Sequence, residues 1–435
     1  MNKKTSILWF RNDLRLHDNE SLIKAISSSD NILPVYVFDS RVFFGKTSFG
    51  FRKTGKFRTK FIIESITSLQ KSLRKLGADL LIRIGEPEEE IFKIAQQIKS
   101  CGVFCNRERT SEEVRVQDAL EKRLWTIGQE LVYSRGKMLF HTADLPFPVS
   151  QTPDIFSQFR KEVEKYVPVR PPLSPPEKIN YLDSGLDVIP IPQLSDFGWE
   201  DYSTDPRSAF PFSGGEDEAI NRLNFYFWNS KLIKKYKETR NGLIGPDYSS
   251  KFSPYLAAGC LSPKVIYDEL KKFEKENGDN ESTYWLYFEL MWRDFFRFMA
   301  KKHGNKIFLP TGTSSISHVN LDFNPNIFDR WANGKTGEKF VDANMRELNQ
   351  TGFMSNRGRQ NVASYLVNNL KQNWMAGAEF FESQLIDYDP CSNYGNWNYL
   401  AGVGSDPREN RVFNIATQVK KYDPEGKFME LWSPS

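Results

Sequence analysis

The sequence predicts an α/β domain at the N-terminus, built on a parallel sheet, followed by an all-helical C-terminal domain. Three observations predict this. Short apolar runs alternate with helical stripes over residues 1–135. Eleven prolines then fall between Pro146 and Pro206. From residue 213 the pattern is helical to the end.

Residues 6–10, 32–38, 80–84 and 102–105 read as short buried strands. Between them, Phe57, Phe61, Ile62, Ile66, Leu69, Leu73 and Leu76 form one apolar stripe at helical spacing, with Gly77 as the stop signal. Strands separated by helices imply right-handed crossovers and a Rossmann-like sheet covered on both faces. The first strand runs into Arg11, Asn12, Asp13, Leu14 and Arg15 instead of a glycine-rich turn, so the dinucleotide fingerprint is absent. The prolines define a connector over 136–212, with a helical turn or more around 155–166. A structureless stretch of this length marks a domain boundary. In the C-terminal domain, 213–435, helices are expected over 216–236, 263–277, 282–303, 356–374 and 376–387.

Of the 435 residues, 39% are hydrophobic and 26% charged, and no apolar window is long enough to span a membrane. Four cysteines exclude a disulfide scaffold and point to a reducing cytoplasm, and four scattered histidines argue against a histidine-built metal site. The net charge of +4 decides nothing about nucleic acid. The aromatics stand out: 34 Phe, 17 Tyr and 10 Trp, with seven of the tryptophans after residue 200. Such a concentration serves a core, a stacking surface or a redox cofactor.

Four constellations carry chemistry. Ser249, Ser250, Lys251, Phe252 and Ser253, with Tyr236 upstream, suit phosphate oxygens; equally, Ser253 and Ser262 are helix N-caps before Pro254 and Pro263. Glu289, Trp292, Arg293 and Phe296 share a helix face that can grip a flat polar ligand, or hold an ordinary Glu289–Arg293 pair worth a few tenths of a kcal/mol. Ser355 caps a helix that sets Asn356 and Gln360 one turn apart beside Arg359, suited to phosphates or base edges, or to solvent. Residues 387–399 (DYDPCSNYGNWNY) lack the glycine and closing glutamate of a calcium loop and otherwise read as a packed aromatic turn. Cys101 and Cys105 have no second pair, so no zinc site is expected.

In this order, the motifs resemble the photolyase/cryptochrome family, in its DASH branch, over nearly the whole chain. The resemblance rests on residues 10–19 (FRNDLRLHDN), 53–58 (KTGKFR), 292–297 (WRDFFR), 353–360 (FMSNRGRQ) and 387–399. It implies that the helical domain holds a U-shaped FAD. Tyr236 and Ser249–Ser253 would bind its phosphates and ribose, and Arg293 would line the flavin pocket. Arg359 and Asp387 would pair beside the isoalloxazine, Asp389 would contact its polar edge or the ribose, and Asn393 would sit near N5.

The implied reaction is blue-light-driven reversal of cyclobutane pyrimidine dimers by one electron from reduced FAD. Glu289 would hydrogen-bond the dimer, Trp292 and Tyr399 would stack on it, and Asn356 and Gln360 would frame it. Phe353, Tyr399 and Gln360 stand where duplex enzymes of the wider family carry Trp, Trp and Met, which implies single-stranded DNA as partner. Trp397 and Trp374 would relay electrons to the flavin. The outer relay position falls on Leu321, so Trp331 or a nearby tyrosine would substitute, or the relay is shortened. Glu108 resembles the carboxylate that contacts a folate antenna, 5,10-methenyltetrahydrofolate. The protein is expected to be a monomer. Two other readings stay open, a photoreceptor signalling through a partner and a plain flavoprotein. Signalling relatives carry long tails, and this chain stops at Ser435.

Overall fold

The computed structural model describes residues 3–314, 319–404 and 412–434. Five parallel strands, β1 (Thr5–Phe10), β2 (Asn31–Asp39), β3 (Leu81–Gly85), β4 (Val103–Asn106) and β5 (Leu131–Ser134), form one sheet in the order β3-β2-β1-β4-β5. The pleat sends alternate residues to opposite faces. Ile7, Trp9, Val35 and Val103 pack under helices Pro87–Ile98 and Ser111–Trp125. Leu8, Phe10, Phe38 and Phe104 join a larger core that continues into the helical half. Both faces are therefore covered, as expected for a parallel sheet. Strand β5 is an addition to the four strands read from the sequence: it has four residues, lies at the sheet edge and is buried only at its two ends.

The connector is partly ordered by docking. Helix Phe156–Tyr166 inserts Phe159 against the rings of Phe295 and Phe298, and Ile179 and Asn180 hydrogen-bond back to Leu76 and Ile32. Helices Pro263–Asn277 and Glu281–His303 lie where periodicity placed them. Two expected helices are broken. The segment expected as one helix over 216–236 is Glu216–Asn224, a π-turn at Phe225–Asn229 and a reversal at Lys231 (φ 53°). Tyr226 and Phe227, adjacent in the wider turn, are both fully buried. The segment expected over 356–374 ends its α-helix at Ser364 and passes through a π-turn, Tyr365–Asn369, and a left-handed Lys371. Asn373 then caps a new helix, Trp374–Gln384, by accepting from the Met375 N–H. Among the described residues no helix is long and apolar enough to cross a membrane.

The residues after β1 clasp the two halves together. Arg15 is 1% exposed and donates to four carbonyls: His17 (3.1 Å), Gly259 (2.9 Å), Asp18 (2.9 Å) and Gly136 (2.8 Å). Gly259 takes φ +76°, and a Cβ there would lie 2.1 Å from the Asn12 carbonyl oxygen, so only glycine lets the loop approach. Asp18 accepts from Ser262 and pairs with Lys264 at 2.6 Å. Polar residues thus replace the nucleotide-binding turn at the end of β1 with an interdomain clasp. Arg15→Met would leave several carbonyls buried without donors. It should destabilise the protein by about 3 kcal/mol or more, read as a lower urea midpoint; an unchanged midpoint would contradict the clasp.

Candidate functional site

The serine segment is built for an anion. Ser249 and Lys251 both adopt left-handed backbone (φ 58° and 62°), which non-glycine residues rarely do. Successive residues of alternating hand turn their N–H groups toward one concavity, an arrangement that binds phosphate. Phe252 occupies the N-cap of helix Ser253–Ala258, and Ser253 is its first residue, with no capping bond. Ser262 does cap its helix, accepting from the Lys264 N–H. The N-cap expectation therefore holds for Ser262 and fails for Ser253, whose place inside the first turn leaves no N–H for it to cap. Lys251 is buried over the Tyr248 ring and donates to the Tyr248 carbonyl. Burial pushes its ammonium well down and pushes the neighbouring Glu347 carboxyl up to about 8. Tyr236, 6% exposed, opens the short helix Tyr236–Thr239 beside Arg240 and Glu289.

A second group of residues surrounds a cavity lined by Asn356, Arg359, Gln360, Asp387, Asn393 and Trp397. Ser355 caps helix Asn356–Ser364 by accepting from the Gly358 N–H at 3.0 Å. A Cβ at Gly358 would meet Asn344 Oδ1 at 2.0 Å, so glycine sets how closely this helix seats. Arg359 pairs with Asp387 at 2.8 Å and also donates to the Met354 carbonyl. Asp389 caps helix Pro390–Leu400 through the Ser392 N–H (2.9 Å), and that helix carries Asn393, Trp397 and Tyr399. The Asn393 amide is anchored by donating to the Ala378 carbonyl at 3.0 Å. Two acceptors on the wall, Gln360 Oε1 and Asp387 Oδ1, are buried and have no hydrogen-bond partner among the described residues. Buried acceptors need donors, and a ring imide N–H of a flavin supplies one. The left-handed serine segment, the arginine–carboxylate pair and these acceptors together fit FAD.

Several residues lie elsewhere than the sequence alone indicates. Glu289 pairs with Arg240, not with Arg293, although Arg293 is one turn away on its own helix. Arg293 turns inward, donating to the carbonyls of Lys137 (2.7 Å) and Leu256 (3.3 Å), and does not line the cavity around Arg359. Asp389 gives one oxygen to Arg297 at 2.6 Å, and the neighbouring arginines hold its carboxyl well below the usual range. Trp292 stacks on Phe156 (3.7 Å, 11°) and meets Tyr399 edge-on at 6.2 Å, so the two rings expected to stack on a lesion lie together.

Glu108 is 2% exposed, pairs with Lys137 at 2.7 Å and lies 3.9 Å from Arg297. Asn12 approaches both Glu108 and Glu113; Asn12 and Glu113 line an 860 Å³ cavity between the two halves, and Glu108 lies behind Asn12, off the lining. Lys137 carried no local signal, and the roles of Lys137, Arg240 and Arg297 come from carboxylates far away in the chain, Glu108, Glu289 and Asp389.

The relay candidates are buried. Trp397 lies against Gly377, where a Cβ would come within 2.3 Å of its indole Cη2. Gly377 is one turn beyond Trp374 on the same helix. Trp331, 0% exposed, meets Trp397 edge-on at 6.5 Å. Leu321 is 45% exposed.

Residues 285–435 match the FAD binding domain of DNA photolyase, and residues 6–177 match DNA photolyase. Cryptochrome DASH of Xenopus laevis is 50% identical over 98% of this chain and 82% of its own length. Cryptochrome DASH of Gloeobacter violaceus is 48% identical over 100% and 86%. The solved cryptochrome of Synechocystis sp. PCC6803 superposes with a TM-score of 0.96 at 48% identity, covering 99% of this chain and 88% of that one. A class III photolyase of Agrobacterium tumefaciens gives 0.83 at 26% identity, over 99% and 87%. Two domains in the expected order, full-length identity near one half and a shared fold place this chain in the photolyase/cryptochrome family, among the DASH cryptochromes, with an FAD-binding helical half.

Proposed function

We propose that this protein reverses cyclobutane pyrimidine dimers in single-stranded DNA, driven by blue light. The observation that carries the reading is the adjacency of two sets of residues. Helix Asn356–Ser364 puts Asn356 and Gln360 on the same wall as the Arg359–Asp387 pair, and helix Pro390–Leu400 carries both Asn393 and Tyr399. Residues suited to a flavin and residues suited to a flipped dimer thus share two short helices. FAD, when bound, supplies a light-excitable one-electron donor. Ser249–Ser253 and Tyr236 would hold its phosphates and ribose, Arg359 and Asp387 would flank its ring, and Asn393 would offer a neutral amide to it, without the repulsion a carboxylate would add.

The protein's remaining work is recognition. Trp292 and Tyr399 offer ring surfaces to the dimer, and flipping it from a single strand costs less than from a duplex because no pairing is lost. Glu289 lies one turn before Trp292 on the same helix. Burial pushes its carboxyl up against the pull of Arg240, which favours the protonated form that donates to a base carbonyl. Trp397 and Trp374 form the relay that replenishes electrons, with Trp331 a branch beside Trp397. The 860 Å³ cavity, with Asn12 in front of Glu108, is the place for a folate antenna.

Illumination of the protein with fully reduced FAD and a dimer-bearing single-stranded oligonucleotide should restore thymines, and a duplex should respond less. Absence of light-dependent recovery would overturn the reading. Glu289→Ala should lower repair roughly tenfold, the worth of one hydrogen bond to a buried polar group, and Glu289→Gln, which keeps a donor, less. Repair by the unaltered protein should fall as pH rises through the raised Glu289 value, because the donating proton is present only below it. A pH-independent rate would contradict that role. Flash spectroscopy of Trp374→Phe should show most light-driven flavin reduction lost, and unchanged reduction would remove Trp374 from the relay.

A further inference from the structure

We propose that Tyr394 is the terminal electron donor of the relay, so that the relay opens into the interdomain cavity instead of at Leu321; this rests on the relay reading above. The expected outer position holds an aliphatic side chain, and leucine is not oxidised under conditions that oxidise aromatic side chains. Trp331 is enclosed. It is 0% exposed, its indole N–H donates to the Val362 carbonyl, and Phe328, Phe380 and Phe381 pack around it. Among the described residues, the rings a hole arriving there from Trp397 would meet next are phenylalanines, which are harder to oxidise than tryptophan.

Trp374 has a different neighbour. Its ring meets Tyr394 edge-on, with centroids 6.3 Å apart at 79°. Tyr394 belongs to helix Pro390–Leu400, one turn before Trp397, and Trp374 opens the helix whose Gly377 bears on Trp397. The three rings thus lie on two packed helices. On its far side Tyr394 meets Phe308 at 4.6 Å, and both residues line the 860 Å³ cavity. Tunnelling falls steeply with distance, so direct ring contact favours this exit.

A tyrosine gives up an electron only if its phenolic proton leaves too. Acceptors are at hand. Glu112, Glu379 and Glu382 line the same cavity, and all three act electrostatically on Tyr394. Glu379 is fixed by the Ser48 hydroxyl (2.5 Å) and the Phe49 N–H (2.8 Å). Glu382 is pushed up to about 7 by burial, against the pull of Arg58 and Lys53, which makes it a base matched to neutral solution. In the step itself, Trp374, having passed one electron to Trp397, takes one from Tyr394. The phenolic O–H bond breaks, the proton goes to a cavity carboxylate or to solvent, and Tyr394 is left as a neutral radical. A thiol reductant reaching the cavity then returns one electron and one proton and leaves as a thiyl radical.

Flash spectroscopy and electron paramagnetic resonance on the full-length FAD-loaded protein test this. Tryptophan radical should give way to tyrosyl radical, more slowly in deuterated water. In Tyr394→Phe the tyrosyl signal should vanish and the yield of long-lived radical fall several-fold. Tyr394→Trp should restore a long-lived radical of tryptophan type. Tryptophan radical without any tyrosyl component in the unaltered protein, or decay unchanged in Tyr394→Phe, would overturn the assignment and leave the relay standing. No tryptophan radical at all would overturn the relay reading and this inference with it.

Discussion

Arg297, 3% exposed, stands between Asp389 of the helical half (2.6 Å) and Glu108 of the α/β half (3.9 Å), with Lys137 closing the group by pairing with Glu108 at 2.7 Å. Each charge here is buried and tolerable only because the others are present. Removing one partner of such a group leaves an uncompensated charge and typically costs about 3–5 kcal/mol. The group's geometry has a functional consequence. Asp389, held by Arg297, caps the helix that carries Asn393, Tyr394, Trp397 and Tyr399. The position of that helix, and of the flavin wall, relay and stacking ring on it, is therefore tied to the domain interface. The Arg15 clasp acts on the same interface from the other side, through Gly259 and Gly136.

The division of the aromatics follows from burial and neighbours. Phe159, Phe295 and Phe298 join the connector helix to the core. Trp292 and Tyr399 remain partly accessible and face each other, whereas Trp331, Trp374 and Trp397 are buried. The same residue type thus serves as filler, platform or conductor according to whether its edges reach solvent, a ligand wall or another oxidisable ring.

Much of this was legible in the chain because its signals are local. The first four strands are short, mainly apolar runs, and helices Pro263–Asn277 and Glu281–His303 lie where their spacing predicts them. The Arg359–Asp387 pair follows from contiguous motifs shared across a family. The illegible parts are long-range. A glutamate and an arginine one turn apart read as a pair, yet Glu289 takes Arg240, 49 positions away, because Arg293 is drawn inward to two carbonyls. The two π-turns interrupt segments that read as continuous helices, because each is a single turn following a stretch that keeps helical spacing. Strand β5 has too few residues to show alternation at all.

The central claim is that flavin and lesion residues meet in one site made by helices Asn356–Ser364 and Pro390–Leu400. A crystal structure of the protein with FAD and a dimer-bearing single-stranded oligonucleotide tests it most directly. The account predicts the dimer flipped out of the strand, against Trp292 and Tyr399, within hydrogen-bond reach of Glu289, and bordered by Asn356 and Gln360. A dimer left stacked in the strand, or DNA bound on a surface away from these residues, would contradict it.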